Sequence, residues 1–227
     1  MCKKLFFLAF ALLTCNALFS QDEFSGGDEF YGSDSNFRIS AGIKVGGGMA
    51  LATDPTVATT AYPIGYVLDF KNGLALQGGV VGNIHFGRRQ DSSPGGTGWL
   101  GVQVEALYGL RNLSIDQQHL MMHCVEIPAL IQVYPISSLA IEAGATFVRL
   151  LKCNPEIMQV GGHAFNLGQL AGANDVMLSF GASYKIPVGI MVDFRYNMST
   201  SSLAGDFDSK VSSFMASIAY LFTFGKK

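Results

Sequence analysis

The chain has 227 residues, enough for one domain; 49% are apolar, 27 are glycine and only 14% are charged, against ~25% in ordinary soluble domains. Its formal charge is −2, and removal of Lys3 and Lys4 with the first twenty residues, which hold no acid, takes −2 to −4. A net negative, sparsely charged chain excludes nucleic acid as an expected partner.

Residues 1–20 read as an export signal. Lys3 and Lys4 precede the apolar run LFFLAFALL, which is short for a bilayer span, and polar sequence follows. Cleavage before Gln21 and cleavage after Ala17 both fit, and Leu12-Leu13-Thr14-Cys15 faintly resembles a lipidation site. Residues 21–36, QDEFSGGDEFYGSDSN, form an acidic, glycine- and serine-rich arm with no periodic face.

From Phe37 onward the period is two, the mark of half-buried strands. Ile39, Ala41, Ile43 and Val45 oppose Arg38, Lys44 and Gly46. Ile64, Tyr66, Leu68 and Phe70 oppose Gly65 and Asp69. After a Lys71-Asn72-Gly73 turn, Leu74, Leu76, Val80 and Ile84 oppose Gln77, Asn83 and His85. Val102, Val104 and Tyr108 oppose Gln103 and Glu105, with Arg111 following on the polar face. Val125, Ile127, Ile131 and Val133 oppose Glu126 and Gln132. Pro128 lacks a ladder donor, so a bulge is expected there.

Ile141, Ala143 and Phe147 oppose Glu142, Gly144 and Thr146. Leu178, Phe180 and Tyr184 oppose Ser179, Gly181 and Lys185. In IMVDFRYNM, residues 190–198, Val192, Phe194 and Tyr196 oppose Asp193, Arg195 and Asn197. Last come Phe214, Ile218, Tyr220, Phe222 and Phe224 against Ser213 and Ser217. This makes nine candidate strands, with the uncertainty between residues 61 and 111; a single-chain barrel with both ends on one side needs an even number, and eight is favoured.

Tight connections are expected at 71–73, 134–138 and 186–189, and long ones at 52–61, 87–98, 152–175 and 199–211. Short turns at one end and long loops at the other are the geometry of an all-β, antiparallel, up-and-down transmembrane barrel over residues 37–224, followed by a short tail at 225–227. A soluble sandwich or ligand-carrying barrel has the same alternation with the apolar face inward. Trp99, Tyr108, Tyr134, Tyr184, Tyr196 and Tyr220 fall mostly near strand ends, where membrane barrels carry aromatic girdles.

In the membrane reading Arg38, Lys44, Asp69, Glu105, Arg111, Glu126, Glu142, Lys185, Asp193 and Arg195 form a charge network in the lumen, five cations and five anions. Charge faces hydrocarbon only at high cost and pairs readily inside a narrow barrel. Glu126, Glu142, Asp193 and Arg195 stand out, either as a charge-balanced plug or as a polar path for protons or solutes. Eight strands leave a lumen that side chains fill.

There is no GxSxG, HExxH, CxxC or phosphate loop, and His85, His119, His123 and His163 are scattered. No cofactor, metal or catalytic set is expected. Cys124 and Cys153 lack metal-ligand spacing and read as free thiols or a disulfide. The 152–175 segment, with Met158, Val160, Phe165 and Leu167 among glycines, suits a partner or folds over the lumen.

Several stretches together resemble the PorT-like outer-membrane β-barrel family of the Bacteroidota. They are GIKVGG at 42–47, VQVEALYG at 102–109, VEIPALIQVY at 125–134, IEAGATF at 141–147, LSFGASYKI at 178–186, VDFRYNM at 192–198 and SIAYLFTF at 217–224. The resemblance implies an eight-stranded barrel in outer-membrane lipid. The family's best-known members act in secretion or gliding. The resemblance also implies that the closing aromatic, Phe224, resembles the signal read by the barrel-assembly machinery, although here Gly225-Lys226-Lys227 follows it. From the residues themselves, a monomeric, non-enzymatic envelope protein with loops for a partner is expected. A small channel and an outer-membrane enzyme are the alternatives.

Overall fold

The computed structural model describes residues 37–59, 62–67, 70–86, 99–115, 118–136, 138–160, 163–200 and 207–224. The export signal, the acidic arm, Asp69, the tail and the side chain of Arg38 lie outside what is described.

Eight long strands make the barrel: β1 (Phe37–Thr59), β2 (Gly73–Phe86), β3 (Leu100–Ile115), β4 (Gln118–Ile136), β5 (Leu139–Asn154), β6 (Asn174–Lys185), β7 (Ile190–Ser199) and β8 (Phe207–Phe224). Each pairs antiparallel with its neighbour in sequence, and β8 returns to β1 through Ile39↔Phe224 to Met49↔Phe214. The sheet is closed.

The closure is staggered. Outward residues pair in the order Ile39, Ile84, Val102, Ile131, Ala143, Phe180, Tyr196, Phe214 and then Met49. One circuit that leaves β1 at Ile39 therefore comes back to it at Met49, ten residues further on. That shear tilts the strands by ~40° and encloses a lumen wide enough for side chains only.

The facing follows the alternation. Ile43, Ile131 and Ile218 are 62, 59 and 58% exposed on the outside, whereas Glu142 and Asp193 are 1 and 0% exposed within. A soluble barrel would bury those isoleucines and expose those acids. No helix among the described residues is long and apolar enough to cross a membrane. The crossing is made by strands whose backbone groups are paired around the ring, which hydrocarbon requires. The chain is an eight-stranded β-barrel built to sit in a membrane.

Four expectations need correction. The candidate strand at 64–70 is no stave: Tyr62–Val67 pairs only with the far end of β1, through Thr56↔Val67 and Thr59↔Tyr62, while Phe70–Lys71 pairs with the end of β3. Pro63, which lacks a donor, thus sits on an edge strand, where proline is tolerated.

The split of connections is also less regular than the sequence suggests. Lys71-Asn72-Gly73 lies at the loop end, where Gly73 pairs with Ala50, and the 87–98 connection lies at the turn end, because Phe86 pairs with Leu100. A tight turn joins β3 to β4 at the loop end, where Ile115 pairs with Gln118. The tight turns of the other end are Ile136 to Leu139 and Lys185 to Ile190. In the second, Gly189 takes a φ of 90°, open to glycine but strained for other residues.

No bulge forms at Pro128. It pairs with Thr146, and its other neighbour keeps register from Val104↔Ala129 to Leu107↔Glu126. The missing donor leaves a gap in the ladder without shifting it. This pair of strands shifts register instead at Leu151, between His123↔Lys152 and Cys124↔Leu150, and again between Val133 and Ile136. Tyr134, expected in the aromatic girdle, faces inward and is 6% exposed. It shares parity with Gln132, and parity decides facing in a strand.

Candidate functional site: the charged lumen

Five charged side chains from four strands meet at mid-lumen. Arg195 on β7 places Nη1 3.1 Å from Glu105 Oε2 and Nη2 2.9 Å from Oε1, a two-pronged pair with β3. The same Nη2 lies 3.1 Å from Glu142 Oε2 on β5 and 2.7 Å from Asp193 Oδ2. Lys44 on β1 completes the group, with Nζ 2.9 Å from Glu105 Oε1 and 3.0 Å from Asp193 Oδ1.

Glycines make these meetings possible. Gly181 on β6 is the register partner of both Glu142 and Arg195, so no side chain stands between them. Gly79 on β2 does the same between Lys44 and β3. The strand pattern places charged and side-chain-free positions on one inward face, and closure of the barrel brings them to one level.

Toward the turn end a hydrogen-bonded cluster continues the network. Lys185 Nζ donates to Asn83 Oδ1 at 2.9 Å and to the Tyr134 hydroxyl at 3.0 Å, and lies 2.7 Å from His85 Nε2. Tyr134 donates to Gln132 Oε1, Gln132 Nε2 to Gln103 Oε1 and Glu142 Oε1, and Gln103 Nε2 to Glu105 Oε1. Lys185 is thereby linked to the central carboxylates through amides. Gln103, Gln132 and Asn83 lie on the polar face of the sequence pattern, but as uncharged residues they carry no sign of a part in the network.

Glu126 is separate from this group, although the sequence reading set it beside Glu142, Asp193 and Arg195. It accepts from Arg111 on the adjacent strand β3 at 2.7 Å, and from the Cys124 thiol at 3.4 Å. A Cβ at Gly109 would meet Glu126 Oε1 at 2.7 Å, so glycine there keeps room for the carboxylate. Between the two charged groups runs a hydroxyl and amide chain: Thr146 and Ser179 at 2.6 Å, Ser179 to Asn197 at 2.8 Å, and Asn197 to Ser213 at 3.2 Å.

At the loop end the inward face turns apolar. Leu113, Leu120, Met122, Leu150 and Val211 are buried with Cys124 and Cys153, which are free thiols. Leu167 packs into this cluster from the 3-10 turn Leu167–Leu170 and is 1% exposed. The turn is tied down by Leu167 N–H and Gly168 N–H to Glu156 O, at 2.7 and 3.1 Å, and by Gly172 N–H to Leu150 O at 2.8 Å. Within the 152–175 segment, the turn that carries Leu167 therefore covers this part of the interior.

Of the ten sequence-selected charges, Lys44, Glu105, Glu142, Asp193 and Arg195 form one cluster, Lys185 joins it through amides, and Arg111 and Glu126 form a second. Arg38 and Asp69 have no described side chain. The described histidines are not brought together: His85 is in the turn-end cluster, while on β4 His119 contacts Ser114 and His123 contacts Tyr108. No group among the described residues has the ligands to hold a metal ion.

No family model matches the chain, and neither does any curated protein. Among solved structures it is similar to Ail, the attachment invasion locus protein of Yersinia pestis, in complex with the heparin analogue sucrose octasulfate. Identity is 16%, coverage is 81% of this chain and 99% of that one, and the TM-score is 0.44. Neisserial surface protein A matches at 10% identity, with 83% and 98% coverage and a TM-score of 0.41. The superpositions are loose, and the fold rests on the closed register circuit and the facing of the side chains.

Proposed function

We propose that this chain is a non-conducting, non-enzymatic barrel that serves as an envelope scaffold, with its loop end outside the cell and offered to a partner protein. One observation carries the reading: the lumen is filled. Lys44, Glu105, Gln103, Gln132, Glu142 and Asp193 are all at most 2% exposed, and an apolar cluster with Leu167 lies at the loop end of the interior. A conducting path needs continuous wet surface, whereas these groups are bonded to one another. The PorT-like stretches favour a role linked to secretion, and Phe224 at the end of β8 suits recognition by the barrel-assembly machinery.

The test is a planar bilayer containing the purified protein. No sustained, uniform conductance is expected, and stable single-channel openings would overturn the reading. Photo-crosslinking in intact cells from exposed loop-end positions such as Glu156 should capture one protein that turn-end positions such as Val188 do not. Identical products from both ends would remove the partner from the proposal.

A further inference from the structure

Among the described residues, the cations inside the barrel are paired, but two on its outside are not. Arg149 and Lys152 on β5 are exposed, whereas the ion pairs of Lys44, Arg111 and Arg195 lie in the lumen. Arg149 alternates with the buried Val148 and Leu150, so it faces outward beside Phe147, itself 41% exposed. Lys152 would have inward parity in a regular strand. The bulge at Leu151 turns both Leu151 and Lys152 outward, re-aiming a side chain as bulges do.

Lys152 pairs in register with His123, and Arg149 with Val125, two residues further along β4. The three basic side chains thus occupy one outward patch across two neighbouring strands. His123 Nδ1 is 2.6 Å from the Tyr108 hydroxyl; with the phenol as donor, the neutral ring carries its proton on Nε2 and keeps a donor for a ligand. Below the patch, toward mid-barrel, are exposed Phe147 and Tyr108; beyond it β5 ends at Asn154. It therefore sits where the apolar band gives way to the loop end, the level of lipid headgroups in the leaflet on that side.

We propose that His123, Arg149 and Lys152 form a binding site for the phosphate of a membrane lipid, its acyl chains lying along Phe147 and Leu151. Charge on the lipid-facing surface is tolerated at the interface and is favourable against an anionic headgroup. The guanidinium offers a planar fork to phosphate oxygens and the ammonium a point charge, so the pair matches a phosphomonoester. The proposal rests on the membrane placement and is independent of the partner and conductance readings.

The probe is bisphosphorylated lipid A doped into phosphatidylcholine nanodiscs holding the folded chain, with retention measured by native mass spectrometry. Fully dephosphorylated lipid A is the matched control. The unaltered protein should retain the phosphorylated lipid, and the Arg149→Gln/Lys152→Gln variant should retain it about 25-fold less, a factor of about five for each cation near an anionic surface. Millimolar inorganic phosphate should not displace it, because the acyl chains contribute to binding. Equal retention by the variant, equal retention of the dephosphorylated lipid, or displacement by inorganic phosphate would each overturn the proposal. Heat-modifiable gel mobility reports folding of the variant, and should it not fold, the two lipids on the unaltered protein decide the matter.

Discussion

Arg195 and Glu105 are 90 residues apart in the chain and face each other across the lumen through two hydrogen bonds of 3.1 and 2.9 Å. The pair is almost wholly out of water, at 3 and 0% side-chain exposure. Taking two charges out of water is costly, so each needs the other and the further partners Glu142, Asp193 and Lys44.

Replacing Arg195 by leucine should leave three acids facing Lys44 alone. Removal of one member of a buried ionic group typically costs ~3–5 kcal/mol. The exposed Glu156→Gln is the control and should change stability by less than ~0.5 kcal/mol. Urea unfolding in detergent micelles or vesicles measures both, and equal midpoints would mean that the lumen is hydrated.

Facing has its own test. Ile131→Arg should destabilise the barrel in lipid vesicles by ~2–4 kcal/mol, because the new charge would enter hydrocarbon. The same change on a water-facing strand would be near neutral. Unchanged stability in vesicles would reverse the assignment of inside and outside.

Gly181 and Gly78 should respond oppositely to alanine. A Cβ at Gly181 would meet the Phe194 carbonyl oxygen at 2.4 Å, whereas one at Gly78 meets nothing nearer than Val45 Cγ1 at 3.7 Å. Gly181→Ala should cost ~1–3 kcal/mol through forced strand displacement. Gly78→Ala should be neutral or stabilising by up to ~1 kcal/mol, since alanine loses less backbone freedom on folding. Equal effects would show that β6 and β7 are less closely spaced than described.

The cap can be read through its cysteines. Cys124 and Cys153 are each 1% exposed in the cluster that includes Leu167. Folded protein in vesicles should react slowly with a membrane-impermeant maleimide. Leu167→Asp should raise that rate at least ~10-fold, equivalent to ~1.4 kcal/mol less protection against local opening. Fast labelling of the unaltered protein would show that the cap does not close over these thiols.

Pro128→Ala should change stability by no more than ~1 kcal/mol. It restores a ladder donor in a register that is already continuous, a gain of ~0.5–1.5 kcal/mol, and it frees the unfolded chain by a similar amount. A large loss would mean that proline holds a local distortion after all.

The alternation of apolar and polar residues is a local property, and it was enough to reveal strands, facing and barrel type. Lys44, Glu105, Glu142, Asp193 and Arg195 show their inward parity within a few residues of chain each. Beyond mid-barrel that rule fails. Leu120, Met122 and Leu150 face inward while His123, Arg149 and Lys152 face outward, because the interior of the loop end is covered by Leu167 and its turn while the outer face there is exposed. The first half of β4 is hard to recognise in the sequence for this reason, and Tyr62–Val67, which alternates well, is no stave because it extends past the closed ring.

Who pairs with whom across the lumen was left to the tertiary structure. Arg195 reaches Glu105 rather than Glu126 because closure with a shift from Ile39 to Met49 sets the level of every inward residue. Each strand pairing contributes to that shift, and a displacement of one residue turns the facing over while two residues move a charge to another layer. Alternation reports the side of the sheet a residue takes; its height in the barrel is a sum over all eight pairings, which no single stretch of sequence contains.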